Sequence, residues 1–206
     1  MDSIRIFGYK SFKKLSVQLH PINLLIGANG AGKSNFLSLF EMLGNIYEKR
    51  LGAYVAQVGG VDKFLYQGRK VTDRIAVNLL IAKSEYDLVL LESDGKLIVE
   101  REVVGCYDDV CPLDLVRKNV ITEYQSESSL KDHKEEDLSN YISQIRKFHF
   151  HDTGRRSPFT ADSHIVNDAY RMYEHGENLA AILYRIQREK PMAYRRIIRV
   201  IQSVAP

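Results

Sequence analysis

The sequence predicts an α/β fold with an antiparallel β region in its middle and helices towards its end. Three observations predict it. An apolar run at residues 22–26 leads through a glycine-rich turn into apolar residues at helical spacing. Apolar runs flank residues 93–95 (Ser-Asp-Gly), and this is a strong hairpin signal because Asp and Gly tolerate the positive φ of a tight turn. Apolar residues again recur at helical spacing beyond Asn178.

The composition excludes several classes of protein. Of the 206 residues, 45% are hydrophobic and 27% are charged, a balance typical of globular proteins and unlike that of disordered, collagen-like or coiled-coil chains. No apolar run approaches the roughly 18 residues that span a bilayer, and no signal peptide is evident, so no membrane partner is predicted. Cys106 and Cys111 cannot form a disulfide framework, which predicts a reducing, cytoplasmic setting with ordinary free thiols.

The first fifty residues read as strands followed by a helix. Ile4 and Ile6 predict a short strand that ends at Gly8, and the alternation of residues 15–19 predicts a half-buried strand ended by Pro21. Residues 22–26 are almost continuously apolar, which predicts a strand covered on both faces. The helix that follows the glycine-rich turn has one apolar stripe, formed by Phe36, Leu39, Phe40, Leu43, Ile46 and Tyr47.

The remaining elements divide the chain into 1–50 (strand, loop and helix), 51–125 (antiparallel β) and 126–206 (mostly helical). Residues 75–81, 86–91 and 96–104 are strand-like. Residues 126–137 predict a loop that leads into a helix, whose buried face would comprise Leu138, Tyr141, Ile142 and Ile145. A short strand is predicted at Phe148 and Phe150, and irregular structure at 152–167. Asn178 is a predicted helix cap, and Pro191 begins a last helix that runs to Val204.

Residues 27–34 satisfy the pattern G-x-x-x-x-G-K-[ST]. Glycines let the backbone curl so that successive N–H groups cradle phosphates, and the following helix adds its positive dipole end. We expect Lys33 to reach the β- and γ-phosphates of ATP and the Ser34 hydroxyl to ligate Mg²⁺. The predicted binding set is Gly27, Ala28, Asn29, Gly30, Ala31, Gly32, Lys33, Ser34 and Asn35.

The segment INLLIGANGAGKSNFL, preceded by IRIFGYKSFKKLSVQL, resembles the N-terminal half of ABC-type ATPases of the SMC/RecF kind. Within that group the chain is similar to AAA-family chromosomal ATPases, some of which serve in anti-phage and retron-type systems. The resemblance implies the N-terminal lobe of a P-loop NTPase, with an antiparallel β subdomain and C-terminal helices. It also implies ATP and Mg²⁺ as ligands and a homodimer of heads, and it makes Lys10 and Ser11 candidates for a place near the nucleotide.

Hydrolysis needs carboxylates that this sequence does not clearly supply. Relatives carry a Walker B segment and a signature segment near their C-terminus, and neither is convincing here. The nearest Walker B look-alike, residues 88–92, is better explained as one strand of the predicted hairpin. We therefore expect the front half of such an ATPase, which binds ATP but hydrolyses it efficiently only with its C-terminal half. The alternative is a non-catalytic ATP-binding regulatory module that acts through a partner protein or DNA.

Two further groups of residues suggest other chemistry. His149 and His151 beside Asp152 form a candidate metal pair that His164 or His175 would complete, but a structural or phosphate-sensing role is favoured. Gln57 and Gln67 lie too early in the chain to be assigned as the sensor. The C-terminal helices are rich in arginine, and DNA contact is a hypothesis for Arg195, Arg196 and Arg199.

Overall fold

The computed structural model describes residues 1–107, 115–133, 136–148 and 169–204. The chain forms two compact units, Met1–Ile145 and Arg146–Pro206. The first unit contains a β-sheet with helices packed on its core, and the described part of the second contains two helices. The predicted strand at Phe148 and Phe150, the irregular segment 152–167 and Cys111 lie wholly or partly outside the described residues.

The first unit is built on one six-stranded sheet with the order β2-β1-β3-β4-β5-β6, in which every pair of neighbours is antiparallel. Its strands are β1 (Ser3–Tyr9), β2 (Phe12–Gln18), β3 (Arg74–Ile81), β4 (Ser84–Ser93), β5 (Lys96–Tyr107) and β6 (Leu115–Gln125). The observed fold is therefore mixed α/β, as predicted, and the antiparallel region extends to both N-terminal strands.

Strand alternation places one face of the sheet in the core. Ile6 pairs with Leu15 on one side and with Val77 on the other, so that the apolar residues of three strands lie side by side. The core is completed by α1 (Lys33–Tyr47), α2 (Leu51–Val58) and α3 (Glu136–Ser143). Leu138 and Ile142 are buried as predicted, whereas Tyr141 is 42% exposed and does not belong to the buried face of α3.

The β4–β5 hairpin confirms the interpretation of residues 88–92. Leu88 and Leu90 lie within β4, and the turn at Asp94 and Gly95 has positive φ at both residues. The Glu92 carboxylate accepts a hydrogen bond from the Gly95 N–H at 2.8 Å, so it closes the turn. This segment is the outgoing arm of a hairpin.

The prediction of a strand at residues 22–26 is wrong. No strand is assigned there, and Ile22, Leu24 and Ile26 are between 81% and 90% exposed. A strand covered on both faces needs neighbours, and the sheet of the first unit ends at β2 without pairing to this segment. The apolar composition of residues 22–26 predicts neighbouring strands, but no described strand pairs with this segment.

In the second unit, α4 (Leu179–Glu189) and α5 (Pro191–Val204) form where helices are predicted. Asn178 occupies the N-cap position of α4, but its side chain does not cap the helix. Its amide instead accepts from the Tyr173 N–H at 2.9 Å and donates to the Arg171 carbonyl at 2.6 Å. Asn178 therefore fixes the loop before the helix. Among the described residues, no helix has the length and apolarity needed to cross a membrane.

Candidate functional site

The glycine-rich loop at residues 27–32 runs directly into the N-terminus of α1. Gly32 is the N-cap residue, and its carbonyl accepts the first helical hydrogen bond from the Phe36 N–H at 2.9 Å. Lys33 and Ser34 are the first two residues of the helix, and no acidic residue lies in its first turn. The positive end of the helix dipole is therefore open to an anion at the loop.

Two glycines give the loop its course. Gly30 and Gly32 have φ angles of +83° and +94°, which favour glycine. A Cβ at Gly30 would meet no atom within 4 Å, so the backbone there faces open space. A Cβ at Gly32 would lie 3.0 Å from the Ser11 Oγ and 3.2 Å from the Phe12 ring. Gly30 therefore leaves space beside the loop, and Gly32 allows the β1–β2 turn to lie close to the loop.

The Lys33 side chain folds back over the loop. Its ammonium donates to the Gly27 carbonyl at 2.6 Å and to the Ala28 carbonyl at 2.8 Å. Ala31 closes a further turn, because its N–H donates to the same Ala28 carbonyl at 3.2 Å. The Lys33 side chain, which the motif assigns to phosphate binding, is thus held at the loop by two neutral carbonyl oxygens. Phosphate oxygens carry negative charge and would replace these carbonyls as its acceptors.

The turn between β1 and β2 packs against the start of α1. The Asn35 side-chain amide donates to the Ser11 Oγ at 2.9 Å. The Lys10 ammonium donates to the Ser38 Oγ at 2.9 Å and lies 5.4 Å from the ring centroids of both Tyr9 and Phe64. Lys10 and Ser11, which the resemblance made candidates, therefore lie beside the first turns of the loop's helix.

Ser38 is the centre of this contact and was not predicted from the sequence. Its hydroxyl donates a hydrogen bond of 2.8 Å to the Asn35 carbonyl. Because a hydroxyl has a single proton to donate, the Tyr9 phenol, whose oxygen lies 2.8 Å from the Ser38 Oγ, is the donor in that contact. Tyr9 is fully buried, and burial raises the pKa of its phenol above the ordinary value. A serine one turn after Ser34 carries no distinctive sequence signal, and its partners lie 28 and 29 residues away.

A cavity of about 490 Å³ opens between β2 and the apolar segment 22–26. Its wall on the β2 side includes Phe12, Leu15 and Val17, and Lys33 lies at the loop end of the cavity. His20 and Asn23 also line it, and they join the two walls because the His20 N–H donates to the Asn23 Oδ1 at 3.0 Å. An apolar space therefore adjoins the phosphate-loop motif.

The other candidates of the sequence are dispersed. Gln57 lies in α2. Gln67 has a φ of +56° and lies two residues after Leu65, which pairs with Tyr9 of β1. His149, His151, Asp152 and His164 are outside the described residues. Among the residues that are described, no three His, Cys, Asp or Glu side chains form a metal-binding group. Cys106 lies in β5 and forms no disulfide with any residue that the structure describes.

The candidate DNA-binding arginines, Arg195, Arg196 and Arg199, lie exposed on α5 in the second unit.

Comparison with known families gives one finding. The sequence profile described as AAA ATPase domain matches residues 1–178 of the chain. This range contains the whole first unit and all of the loop motif. No curated protein sequence matches the chain significantly.

Proposed function

Because this chain belongs to the AAA ATPase domain family, we propose that it binds ATP with Mg²⁺ on the loop at residues 27–34. The observation that carries this proposal is the position of the loop at the open, acid-free N-terminus of α1, with the Lys33 ammonium already gathered over it. Backbone amides, a helix dipole and a lysine ammonium are groups that bind a polyphosphate.

Each residue of the loop has a distinct part in this proposal. Lys33 exchanges its carbonyl acceptors for phosphate oxygens, and Gly30 leaves space for the phosphates to approach the backbone. The exposed Ser34 hydroxyl, one residue into α1, is a hard oxygen donor that fits Mg²⁺. Bound Mg²⁺ would supply charge neutralisation to the phosphates. Asn35 and Ser11 hold the β1–β2 turn at the loop, and Lys10 adds a second positive charge nearby.

We further propose that the chain is the N-terminal lobe of an SMC/RecF-like P-loop ATPase, in which a C-terminal half supplies the Walker B and signature segments. The exposed apolar segment 22–26 supports this, because further strands of a completed core sheet would cover it. Residues 88–92 belong to a hairpin, so the Walker B carboxylates are not assigned to any of the described residues. We therefore propose that this chain binds ATP without efficient turnover, and that completed heads act as a homodimer.

Nucleotide titration tests the binding proposal. We expect a fluorescent ATP analogue with Mg²⁺ to bind the 206-residue chain, and Lys33→Ala to weaken binding about tenfold or more, since a charge-assisted hydrogen bond contributes about 1.5–3 kcal/mol. Lys14→Ala removes an exposed lysine of β2 and is the matched control. Equal affinity of the wild type and Lys33→Ala would overturn the proposal. Turnover far above that of Lys33→Ala would overturn the claim of inefficient hydrolysis.

Nucleic-acid binding by α5 is a second candidate function. Arg195, Arg196 and Arg199 are exposed, and none of them forms an ion pair with any residue that the structure describes. Cations that the fold leaves without acidic partners are available to phosphates. This function is independent of ATP binding and is tested separately below.

A further inference from the structure

The arginines of α5 form a like-charged cluster. Arg195, Arg196 and Arg199 occur at helical spacings of one, three and four residues, and Pro191–Val204 contains no acidic residue. Like charges three or four residues apart destabilise a helix by about 0.2–0.5 kcal/mol per pair. No acidic side chain in the described part of the chain offsets this repulsion. Binding of an anionic partner would offset this repulsion.

Two exposed tyrosines, Tyr170 before α4 and Tyr184 within it, each have an arginine close to the ring. The Arg185 guanidinium lies 4.5 Å from the ring centroid of Tyr170, and that of Arg188 lies 5.8 Å from the centroid of Tyr184. Tyr170 is 77% exposed and Tyr184 is 61% exposed, so most of each ring remains open to solvent. Because Arg185 directly follows Tyr184 in the helix, the two pairs are neighbours.

Positive charge is concentrated in this part of the chain. Residues 169–204 contain seven Lys and Arg against three Asp and Glu, a net charge of +4, whereas the entire chain has +3. The rest of the sequence is therefore close to neutral. Exposed aromatic rings interleaved with arginines in a basic segment are the features that bind single-stranded nucleic acid, whose bases stack on the rings while its phosphates contact the cations.

We propose that the second unit binds single-stranded nucleic acid through the exposed rings of Tyr170 and Tyr184 and through the guanidinium groups of Arg185, Arg195, Arg196 and Arg199. The proposal rests on the nucleic-acid candidate function above and specifies its substrate. In a duplex the bases are stacked on each other and offer no face to a tyrosine, so the rings favour the single strand. An anionic membrane would attract the same arginines, and exposed Met192 and Val200 could enter it, but it would not engage the Tyr170 ring by stacking.

The substrate is tested by fluorescence anisotropy with the 206-residue chain and no ATP. The probes are a labelled 20-nucleotide oligothymidylate, a duplex of equal length and a 20-residue abasic strand. We expect the oligothymidylate to bind most tightly, because only it offers both phosphates and free bases. Tyr170→Leu and Tyr184→Leu should each weaken its binding by about fivefold or more and leave abasic binding unchanged, since stacking contributes about 1–3 kcal/mol per base.

Conservative variants and distant controls separate stacking from misfolding. Tyr170→Phe and Tyr184→Phe keep the ring and should retain oligothymidylate binding. Tyr124→Leu removes a tyrosine of the first unit that is 66% exposed and should change nothing. If the phenylalanine variants bind as weakly as the leucine variants while remaining folded by circular dichroism, stacking is not the interaction and the proposal fails.

The arginines are tested by the dependence of binding on salt. A triple substitution, Arg195→Gln, Arg196→Gln and Arg199→Gln, should weaken binding of all three probes and reduce the slope of log K against log salt by about 2, since each phosphate contact on a single strand contributes about 0.7. The charge-matched control substitutes three exposed lysines of the first unit by glutamine: Lys14, Lys70 and Lys96. It should leave both affinity and slope unchanged.

Each other outcome overturns a defined claim. If the triple arginine variant loses binding but the duplex binds as tightly as the oligothymidylate, nucleic-acid binding stands and the single-strand proposal falls. If none of the three probes binds, both claims fall, and a parallel assay with anionic phospholipid vesicles then shows whether the arginines bind a membrane instead. Neither result bears on ATP, because the Lys33→Ala titration is a separate measurement on the same chain.

Discussion

The Tyr9 phenol donates a hydrogen bond of 2.8 Å to the Ser38 hydroxyl, and this contact joins the end of β1 to the second turn of the helix that follows the phosphate-loop motif. Lys10 donates to the same hydroxyl at 2.9 Å. One small side chain therefore receives hydrogen bonds from two residues at the end of β1, in addition to the apolar packing of the helix on the core. The position of the helix N-terminus, on which the proposed ATP site depends, is set in part by this junction.

Removing the Ser38 hydroxyl should cost more stability than removing the Tyr9 hydroxyl. Ser38→Ala leaves the buried phenol without its acceptor, which costs about 1–3 kcal/mol, whereas Tyr9→Phe removes a single hydrogen bond worth about 1 kcal/mol. The double variant should be less destabilised than the sum of the two, because both substitutions remove the same contact. Urea denaturation at pH 7 measures all three free energies of unfolding.

Ser203→Ala is the matched control for this cycle. Ser203 is exposed and donates to the carbonyl three residues earlier, as Ser38 does, but no buried phenol depends on it. Its loss should change stability by less than about 0.5 kcal/mol. Strict additivity of Tyr9→Phe and Ser38→Ala would show that the junction is not coupled.

Gly32→Ala should distort the loop, whereas Gly44→Ala should stabilise the same helix. At Gly32 an alanine must adopt a φ near +94°, which costs about 1–2 kcal/mol, and its Cβ would press on Ser11 and the Phe12 ring. At Gly44, inside α1, a Cβ would meet no atom within 4 Å, so alanine should gain about 1 kcal/mol of helix propensity.

Paired thermal melts and ATP titrations check the two glycine substitutions. We expect Gly32→Ala to lower both the melting temperature and ATP affinity, and Gly44→Ala to raise the melting temperature with unchanged affinity. If Gly32→Ala binds ATP as the wild type does, the loop does not need the left-handed turn for its function.

The elements that were predicted correctly are those whose pattern is local. The β4–β5 hairpin follows from Asp94 and Gly95, and α1 follows from one apolar stripe. Residues 22–26 were predicted wrongly because coverage on both faces is a property of neighbouring strands, which the segment's own composition does not encode. Neither α2 nor β6 was identified. In α2 the apolar residues Leu51, Tyr54, Val55 and Val58 do stand at helical spacing, but the pattern covers only eight residues, whereas Leu115–Gln125 lacks a regular alternation.

The same distinction holds for the site. The loop motif is contiguous, so its residues were named from the sequence. The contacts that hold the loop's helix join residues far apart in the chain, as Tyr9 and Ser38 do. Glu127 is a second case, because its carboxylate accepts from the N–H groups of Leu51 and Gly52 at 2.9 and 3.2 Å and caps α2 from 75 residues away. No sequence pattern specifies such pairs.

Glu102→Gln should be the most destabilising isosteric change in the sheet. The fully buried Glu102 carboxylate accepts hydrogen bonds of 2.6 Å from the hydroxyls of Tyr86, Thr122 and Ser128 and one of 3.1 Å from the Ser129 N–H. An amide replaces one acceptor oxygen with a donor, so at least one buried donor loses its partner, at a cost of about 1–3 kcal/mol.

The control for this change is Glu123→Gln, an exposed carboxylate on β6. It should alter the free energy of unfolding by less than about 0.5 kcal/mol in the same urea titration. Equal effects at the two positions would mean that the carboxylate of Glu102 is not needed to hold the loop at Ser128 and Ser129 against the sheet.

Stability should fall at alkaline pH because buried tyrosines must lose their protons when the chain unfolds. Burial raises the pKa of Tyr54 to about 12, with the Glu41 carboxylate contributing, and burial together with the negative charge of Glu102 raises the pKa of Tyr86 well above its ordinary value. Unfolded tyrosines titrate near pH 10. The folded chain therefore holds these protons more tightly, so this stabilisation is complete below about pH 10 and is lost as pH rises through the folded pKa values.

Guanidinium chloride denaturation between pH 8 and pH 12 measures this loss. Tyr54→Phe has no proton to lose and should show a shallower decline of the free energy of unfolding above pH 10 than the wild type. Tyr86→Phe should also decline less steeply, although at pH 8 it is less stable because the hydrogen bond to Glu102 is gone. Tyr124→Phe changes an exposed phenol and should follow the wild-type curve. If Tyr54→Phe and Tyr86→Phe follow it too, these buried phenols do not control the alkaline transition.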